Sequence, residues 1–556
     1  MKPVLIVITI IAICSLTTWH FQPRLTTNEP ITATTTFNST ILLIPLDSRP
    51  ACTKFVVQLG KIAGIRILLP PDDILDHYKT AGNTKEISNW CLANAPQADA
   101  AIISIDMLIH GGLIASRHGN ATTTDIDNAL LLLKQLHHNQ PQLAIYAFNI
   151  LPRLWPADNA ENNKYQKELL AYAKLIDQVY TFENPIDLKK LNKLTAKIPA
   201  ELINNYNRVF EENFQLNKQL ITLTQAGVIT KLVIGQDDGE TFGVPNMMKR
   251  RLLHYLDQVQ VPSTKVFVTK GADEVATTLL ADIYHRKTTT KLKINVQYAD
   301  AHTPTLIMPF MATSVATSVT EKIALLDGIY TDNPADADFI LFVYIGSNYN
   351  ATQQEASSQR ILDLLAMNYK VALVDLSEHF AANETILPLL LKNNVPINQL
   401  IAYCGWNTTS NAVGIAMSQA SIFINARHLA NSDNNIIALY ENNLTFLTAR
   451  FLEDYFYLKE SIDLVDKALI SEKTDTYNFK SRSRWANTVL KADMANKAIY
   501  LKNSTAYNQS LLLPLTNDTL SARISDMTIQ VNFPWERSFE IDLDAKIKLV
   551  KLLTSS

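Results

Sequence analysis

The chain has 556 residues, of which 47% are hydrophobic and 19% charged. That length predicts about three or four domains, or one large barrel with additions, and the apolar content excludes wholesale disorder. Lys+Arg 50 against Asp+Glu 53 leaves a formal net charge of -3, which gives no electrostatic basis for nucleic acid or an anionic membrane as partner.

At the N-terminus, Lys2 precedes an apolar run over 4–16. This is the layout of a secretory signal; extended through Trp19, an uncleaved anchor is the alternative. Cys14 suggests a lipoprotein, but Ile13 is not the small residue such a signal places before its cysteine. A signal or anchor over 1–25 and a polar, Thr-rich spacer over 26–40 therefore predict an exported protein (periplasmic, envelope or secreted) with a membrane tether as one option. The other cysteines, Cys52, Cys91 and Cys404, show no CxxC or Cys/His metal spacing. Buried free thiols are expected, with a Cys52–Cys91 disulfide as the alternative.

From residue 41 onward, apolar strands alternate with helical stretches. Strands are predicted at 41–46, 66–69, 98–105, 143–148, 178–182, 232–235, 265–269 and 292–298, with helices between them. Continuous apolar strands alternating with helices indicate a parallel sheet covered by helices. Eight strands predict a (β/α)8-barrel-like domain over 41–300; an open doubly wound sheet is the alternative. A second, smaller flavodoxin-like α/β domain is expected over 301–428, on strands at 339–345, 371–375 and 400–403. The remainder, 429–556, reads as a helical segment and a small β region, with the aromatic run 451–457 in helix packing.

The polar residues collect where strands end. These segments are Leu46-Asp47-Ser48-Arg49-Pro50, Asp106 to Arg117, Pro152-Arg153, Gly235-Gln236-Asp237-Asp238, Gly271-Ala272-Asp273-Glu274 and Gly405-Trp406-Asn407 through Asn411. Glycine totals only 15; eight lie in or beside these segments, and a ninth, Gly346, follows the predicted strand 339–345 in the same way. In a parallel sheet these ends share one edge, where α/β proteins place their sites. Turn and cap chemistry explains single polar residues, and Asp273 reads as an N-cap. It explains Asp237-Asp238 less well. Adjacent carboxylates suit acid/base work, in which proximity drives their pKa values apart, or divalent-metal binding. Asp47, Arg49, Asp106, Arg117 and Arg153 are candidate contacts to an anionic or polyhydroxylated substrate. An ion pair with one of the aspartates weighs equally for Arg49. Trp406 offers a plate for a sugar ring, or else a core residue, and Asn407 and Asn411 offer amide contacts.

Together these segments and Pro534-Trp535-Glu536-Arg537-Ser538-Phe539-Glu540 resemble a largely bacterial family, domain of unknown function 4127. Its pattern runs LD-x-RP, DML-x-x-GGL-x-x-SR, GQDD, GADE, GWNT-x-x-N and PW-x-R-x-FE. The resemblance spans 41 to 545 and implies no activity by itself; His110 stands where members often carry Tyr. The Asp-Asp pair also resembles that of β-N-acetylglucosaminidases that use their substrate's acetamido group as nucleophile. Carried onto this chain, that likeness implicates Asp237 and Asp238 alone and leaves open which is the acid.

The leading expectation is an exported carbohydrate-active hydrolase, acting on amino-sugar glycans through Asp237 and Asp238 with no cofactor. One alternative is a phosphate or ester hydrolase using a divalent metal held by Asp47, Asp106 and Asp237. Another is a non-catalytic envelope protein that binds a glycan or small polar ligand.

Overall fold

The computed structural model describes residues 29–552 apart from 32, 289, 348 and 349. The signal or anchor, Cys14 and the start of the spacer lie outside the described residues. Among those described, no helix is long and apolar enough to cross a membrane.

Six strands form the first sheet: β1 (Ser39–Ile44), β2 (Ile65–Leu68), β3 (Ala100–Ser104), β4 (Ala144–Leu151), β5 (Lys231–Gln236) and β6 (Val266–Lys270). They pair in the order β2-β1-β3-β4-β5-β6, all parallel. The eight-strand count behind the barrel is corrected at two places. Residues 178–182 end the helix Gln166–Phe182, and Lys293–Tyr298 (β7) joins a different sheet. Six strands remain, and they stay open at β2 and β6.

The second sheet contains β7, β8 (Ile329–Tyr330), β9 (Phe339–Gly346), β10 (Val371–Ser377) and β11 (Ala402–Cys404). Its order is β8-β7-β9-β10-β11, again parallel. Counted from each sheet's first strand, both begin 2-1-3-4-5, the flavodoxin-like winding. Each sheet therefore has a switch point where the chain reverses direction across the sheet.

The strands are apolar throughout because both faces are covered. Ile41 and Leu43 pack into one core, while Leu42 and Ile44 pack into another on the opposite face. The first of these cores also takes Leu341 and Val343 of β9 and residues of the helices Lys54–Ala63, Val275–His285, Val315–Leu325 and Thr409–Leu429. A shared helical layer thus lies between the two sheets. The helices Thr123–Asn139, Gln166–Phe182 and Ala200–Gln225 cover the outer face of the first sheet.

The C-terminal region covers the outer face of the second sheet. Helix Asp433–Arg450 continues as a π-helical stretch, Phe451–Ser461, and the aromatic run is buried as expected. Helix Ser483–Asn503, which the sequence pattern did not reveal, follows. An antiparallel sheet closes the chain: β12 (Leu511–Pro514), β13 (Thr519–Asn532) and β14 (Asp542–Lys551), with Glu29–Pro30 added at its edge. Cys52, Cys91 and Cys404 are buried free thiols, so the disulfide alternative is not realised.

Candidate functional site

A cavity of about 320 Å³ opens at the C-terminal edge of the first sheet. Four strands supply its polar wall. Arg49 follows β1, Arg153 follows β4, Asp237 and Asp238 follow β5, and Lys270 through Asp273 end and follow β6. Arg117 comes from the segment after β3. The opposite wall holds Phe310, Asn407, Asn411, Tyr477, Arg537 and Phe539, so both α/β sheets and the C-terminal region contribute.

Asp237 is clamped by Arg117, whose Nη2 donates to Oδ2 at 2.7 Å. Its other oxygen accepts the backbone N–H of Asp238 at 2.8 Å. Burial pushes the Asp237 carboxyl up, but the Arg117 charge and hydrogen bond, with Arg153 behind them, win and hold it below its ordinary value. Asp238 lacks such a clamp. Burial and then the Asp237 charge push it up to about 7. One carboxyl of the pair is therefore ionised while its neighbour keeps a proton in mildly acidic water, the separation that acid/base chemistry needs.

Backbone hydrogen bonds fix this pair against the surrounding loops. Leu154 N–H donates to the Asp238 carbonyl at 3.0 Å, and Gly239 N–H donates to the Phe310 carbonyl at 3.0 Å. Arg153 and Phe310 are thereby held beside the acids.

Beneath the cavity, Arg49 bridges two aspartates. Its Nη2 donates to Asp47 Oδ2 at 2.6 Å and to Asp273 Oδ1 at 2.7 Å. The ion-pair reading of Arg49 holds, although Arg49 also lines the cavity. Asp273 binds Arg49 and does not cap the helix Val275–His285, which has no side-chain cap. Gly271 makes this turn possible, with φ +96°; a Cβ there would lie 2.0 Å from Glu274 Oε1.

Three expected contacts are corrected. Asp47 is fully buried under Arg49 and does not line the cavity. Asp106 is also buried, and its carboxylate accepts the Ile150 N–H at 2.9 Å, fixing the end of β4. Trp406 is 1% exposed and packs edge-on against Phe55 and Phe539, so it is a core residue. Of Asp47, Asp106, Asp237 and Asp238, only the adjacent pair opens on the cavity. Arg49, Arg117, Arg153, Asn407 and Asn411 line it. His110 lies off this cavity, where burial lowers its pKa to about 4.

Asp47, Asp106 and Asp237 do not form a close group of ligand atoms among the described residues. Among the described residues, one group of potential ligands comes together: Asp47, Cys52 and Asp273, with ligand atoms within 4.8 Å of one another. The Arg49 guanidinium lies between the two aspartates of this group and pairs with both.

Lys270, Arg537 and Phe539 carry no role in the sequence reading but line the cavity. Burial, then the charge of Lys249, brings the Lys270 ammonium down to about 7. Arg537 is held by Glu540 at 2.7 and 2.6 Å and lies over the Trp535 ring. Trp535 Nε1–H donates to Ser48 Oγ at 3.1 Å, which ties the late PW-x-R-x-FE segment to the opening LD-x-RP segment. That late segment signalled its role only through its Arg and aromatic content.

Asp76 is a further buried acid, within the field of Asp47 and Arg49. Its Oδ1 accepts the Ser48 N–H at 2.7 Å, and Gly112, at φ +128°, leaves room for it. Burial and then the Asp47 charge raise Asp76 to about 8. The folded chain therefore keeps a proton that the unfolded chain loses near pH 4, and stability falls as pH rises from about 4 to about 8. Asp76→Asn retains an acceptor for Ser48 and cannot ionise. Its stability relative to wild type is expected to rise across that window and level off above it. Urea midpoints at pH 5, 7 and 9 check this, and a pH-independent difference refutes it.

Fold and site define an α/β protein with two doubly wound parallel sheets and a carboxylate–arginine cavity at a sheet edge. The chain belongs to the family described as Protein of unknown function (DUF4127), whose model matches residues 41–544. No curated protein and no solved structure matches it.

Proposed function

We propose that the protein is an exported hydrolase of amino-sugar glycans, with Asp238 as general acid and Asp237 as the carboxylate that orients the substrate's acetamido group. The observation that carries this reading is the adjacent pair in one cavity, its protonation levels set apart by Arg117. In the first step the acetamido oxygen attacks the anomeric carbon and the glycosidic C–O bond breaks. The leaving oxygen takes the Asp238 proton, while Asp237 accepts the acetamido N–H and offsets the charge that develops on the new ring. In the second step Asp238, now a carboxylate, removes a proton from the water that attacks the anomeric carbon. The ring reopens and the acid is restored.

The test is release of 4-nitrophenol from its N-acetyl-β-glucosaminide. Wild type is expected to turn over, whereas Asp237→Asn and Asp238→Asn each lose activity with unchanged circular dichroism. Full activity in both variants removes the proposal.

A further inference from the structure

We propose that the substrate is an acidic oligosaccharide spanning two adjoining cavities, with a carboxylate held by Arg153 at their junction. The inference rests on the glycan-hydrolase reading and adds the class of glycan.

A second cavity, of about 360 Å³, borders the first. Arg117 and Arg153 line both, so the two spaces share a wall. Each volume lies in the range of about 300–1,000 Å³ that suits a small ligand. The second cavity offers the amides of Asn120, Asn159 and Asn205 and the ring of Trp155. Trp155 sits 5.5 Å, centroid to centroid, from Phe310 of the first cavity. This gives an apolar ridge across the junction, against which sugar C–H faces can lie.

The arginines of the first cavity differ in one respect. Arg49 has Asp47 and Asp273, Arg117 has Asp237, and Arg537 has Glu540. Arg153 makes no ion pair and no side-chain hydrogen bond among the described residues, and its Nε is buried without a partner. Burial and then the Arg117 charge lower its pKa to about 10, against the pull of Asp237, Asp238 and Asp158. A half-buried guanidinium with an unpartnered, buried Nε carries a cost, and an oxyanion removes it through paired hydrogen bonds. A single uncommitted guanidinium matches the single charge of a carboxylate better than a phosphate's roughly two.

The position is built, because two hydrogen bonds hold the loop that carries Arg153. Tyr206 Oη–H donates to the Leu154 carbonyl at 2.7 Å, and Leu154 N–H reaches the Asp238 carbonyl. The anion site is therefore fixed relative to the general acid, so a charged sugar placed there sets which glycosidic bond meets Asp238.

The experiment uses the 556-residue chain carrying Asp238→Asn, so that probes are bound and not cleaved. Calorimetric titration compares a tetrasaccharide of alternating N-acetylglucosamine and glucuronate with its disaccharide and with neutral chitotetraose. The acidic tetrasaccharide is expected to bind about tenfold more tightly than either. Arg153→Met is expected to remove the preference for acid while leaving chitotetraose binding in place, and Arg153→Lys to restore part of it. Trp155→Ala is expected to remove the gain of tetrasaccharide over disaccharide. Equal binding of acidic and neutral tetrasaccharides, or an equal loss for both on Arg153→Met, overturns the inference and leaves the hydrolase reading standing. Failure of every oligosaccharide to bind overturns the hydrolase reading itself.

Discussion

Asp238→Asn is expected to lower kcat on a glycan with a sugar leaving group by about 10²–10⁴-fold, the usual contribution of a positioned general acid. The loss should shrink when the leaving group is 2,4-dinitrophenolate, which departs without a proton. Asp237→Asn should slow both substrates alike, because its task of orienting the acetamido group does not depend on the leaving group. The pH profile gives an independent check. Asp238 works protonated and burial raises it to about 7, so kcat/KM should fall as pH rises through about 7. The acid limb belongs to Asp237, which Arg117 holds below its ordinary value despite burial. Arg117→Met should therefore move the acid limb to higher pH, and the alkaline limb upward as well, because the Arg117 charge also lowers Asp238. An equal loss for both leaving groups in Asp238→Asn removes Asp238 as the acid.

The parallel α/β character was legible because strands buried on both faces are apolar end to end, as in Ile41–Ile44 and Phe339–Ile345. The barrel was not, because barrels and open sheets bury the same pattern and differ only in long-range pairing. Residues 178–182 show the local limit. Gln178 through Phe182 reads as a short strand, yet it is the last turn of the long helix Gln166–Phe182, where packing decides. Residues 293–298 show the global limit, since nothing in β7 states that its partners are β8 and β9 in a second sheet.

The site was legible in part for a related reason. Strand-end motifs mark one edge of a sheet, and that placed Asp237, Asp238, Arg49, Arg117 and Arg153 together. Depth was not legible. Asp47 and Asp106 share the motif residues' neighbourhood but face inward, where Arg49 and the Ile150 N–H satisfy them. Trp406 likewise turns into the core, since the helix Thr409–Leu429 that it precedes is buried over most of its length. Arg537 and Phe539 arrive from hundreds of residues away, through a Trp535–Ser48 contact that no local pattern encodes.

The second large effect is on stability, at an ion pair packed against Gly271 of the cavity wall. Glu274 and Lys322 are both fully buried and pair at 2.5 Å. Gly271 and Gly414 leave space for the Glu274 side chain, and the Lys322 ammonium also donates to the Lys270 carbonyl at 2.7 Å and to Thr269 Oγ1 at 3.1 Å. Lys322→Met leaves Glu274 without its cation in a site where burial already pushes its carboxyl up. The expected cost is about 3–5 kcal/mol, read as a lowered urea midpoint. Glu274→Gln combined with Lys322→Met removes both charges and should recover a large part of that loss, because the penalty comes from the orphaned carboxylate more than from the missing attraction. If the double variant is no more stable than Lys322→Met, the cost lies in the lost hydrogen bonds to Lys270 and Thr269. Those bonds hold the strand end that carries Lys270 and leads to Asp273 in the cavity wall. The single variant should therefore also weaken ligand binding under conditions where it remains folded. A pair buried this deeply is consistent with a role in fixing the position of that wall, and the joint loss of midpoint and binding separates this role from a purely energetic one.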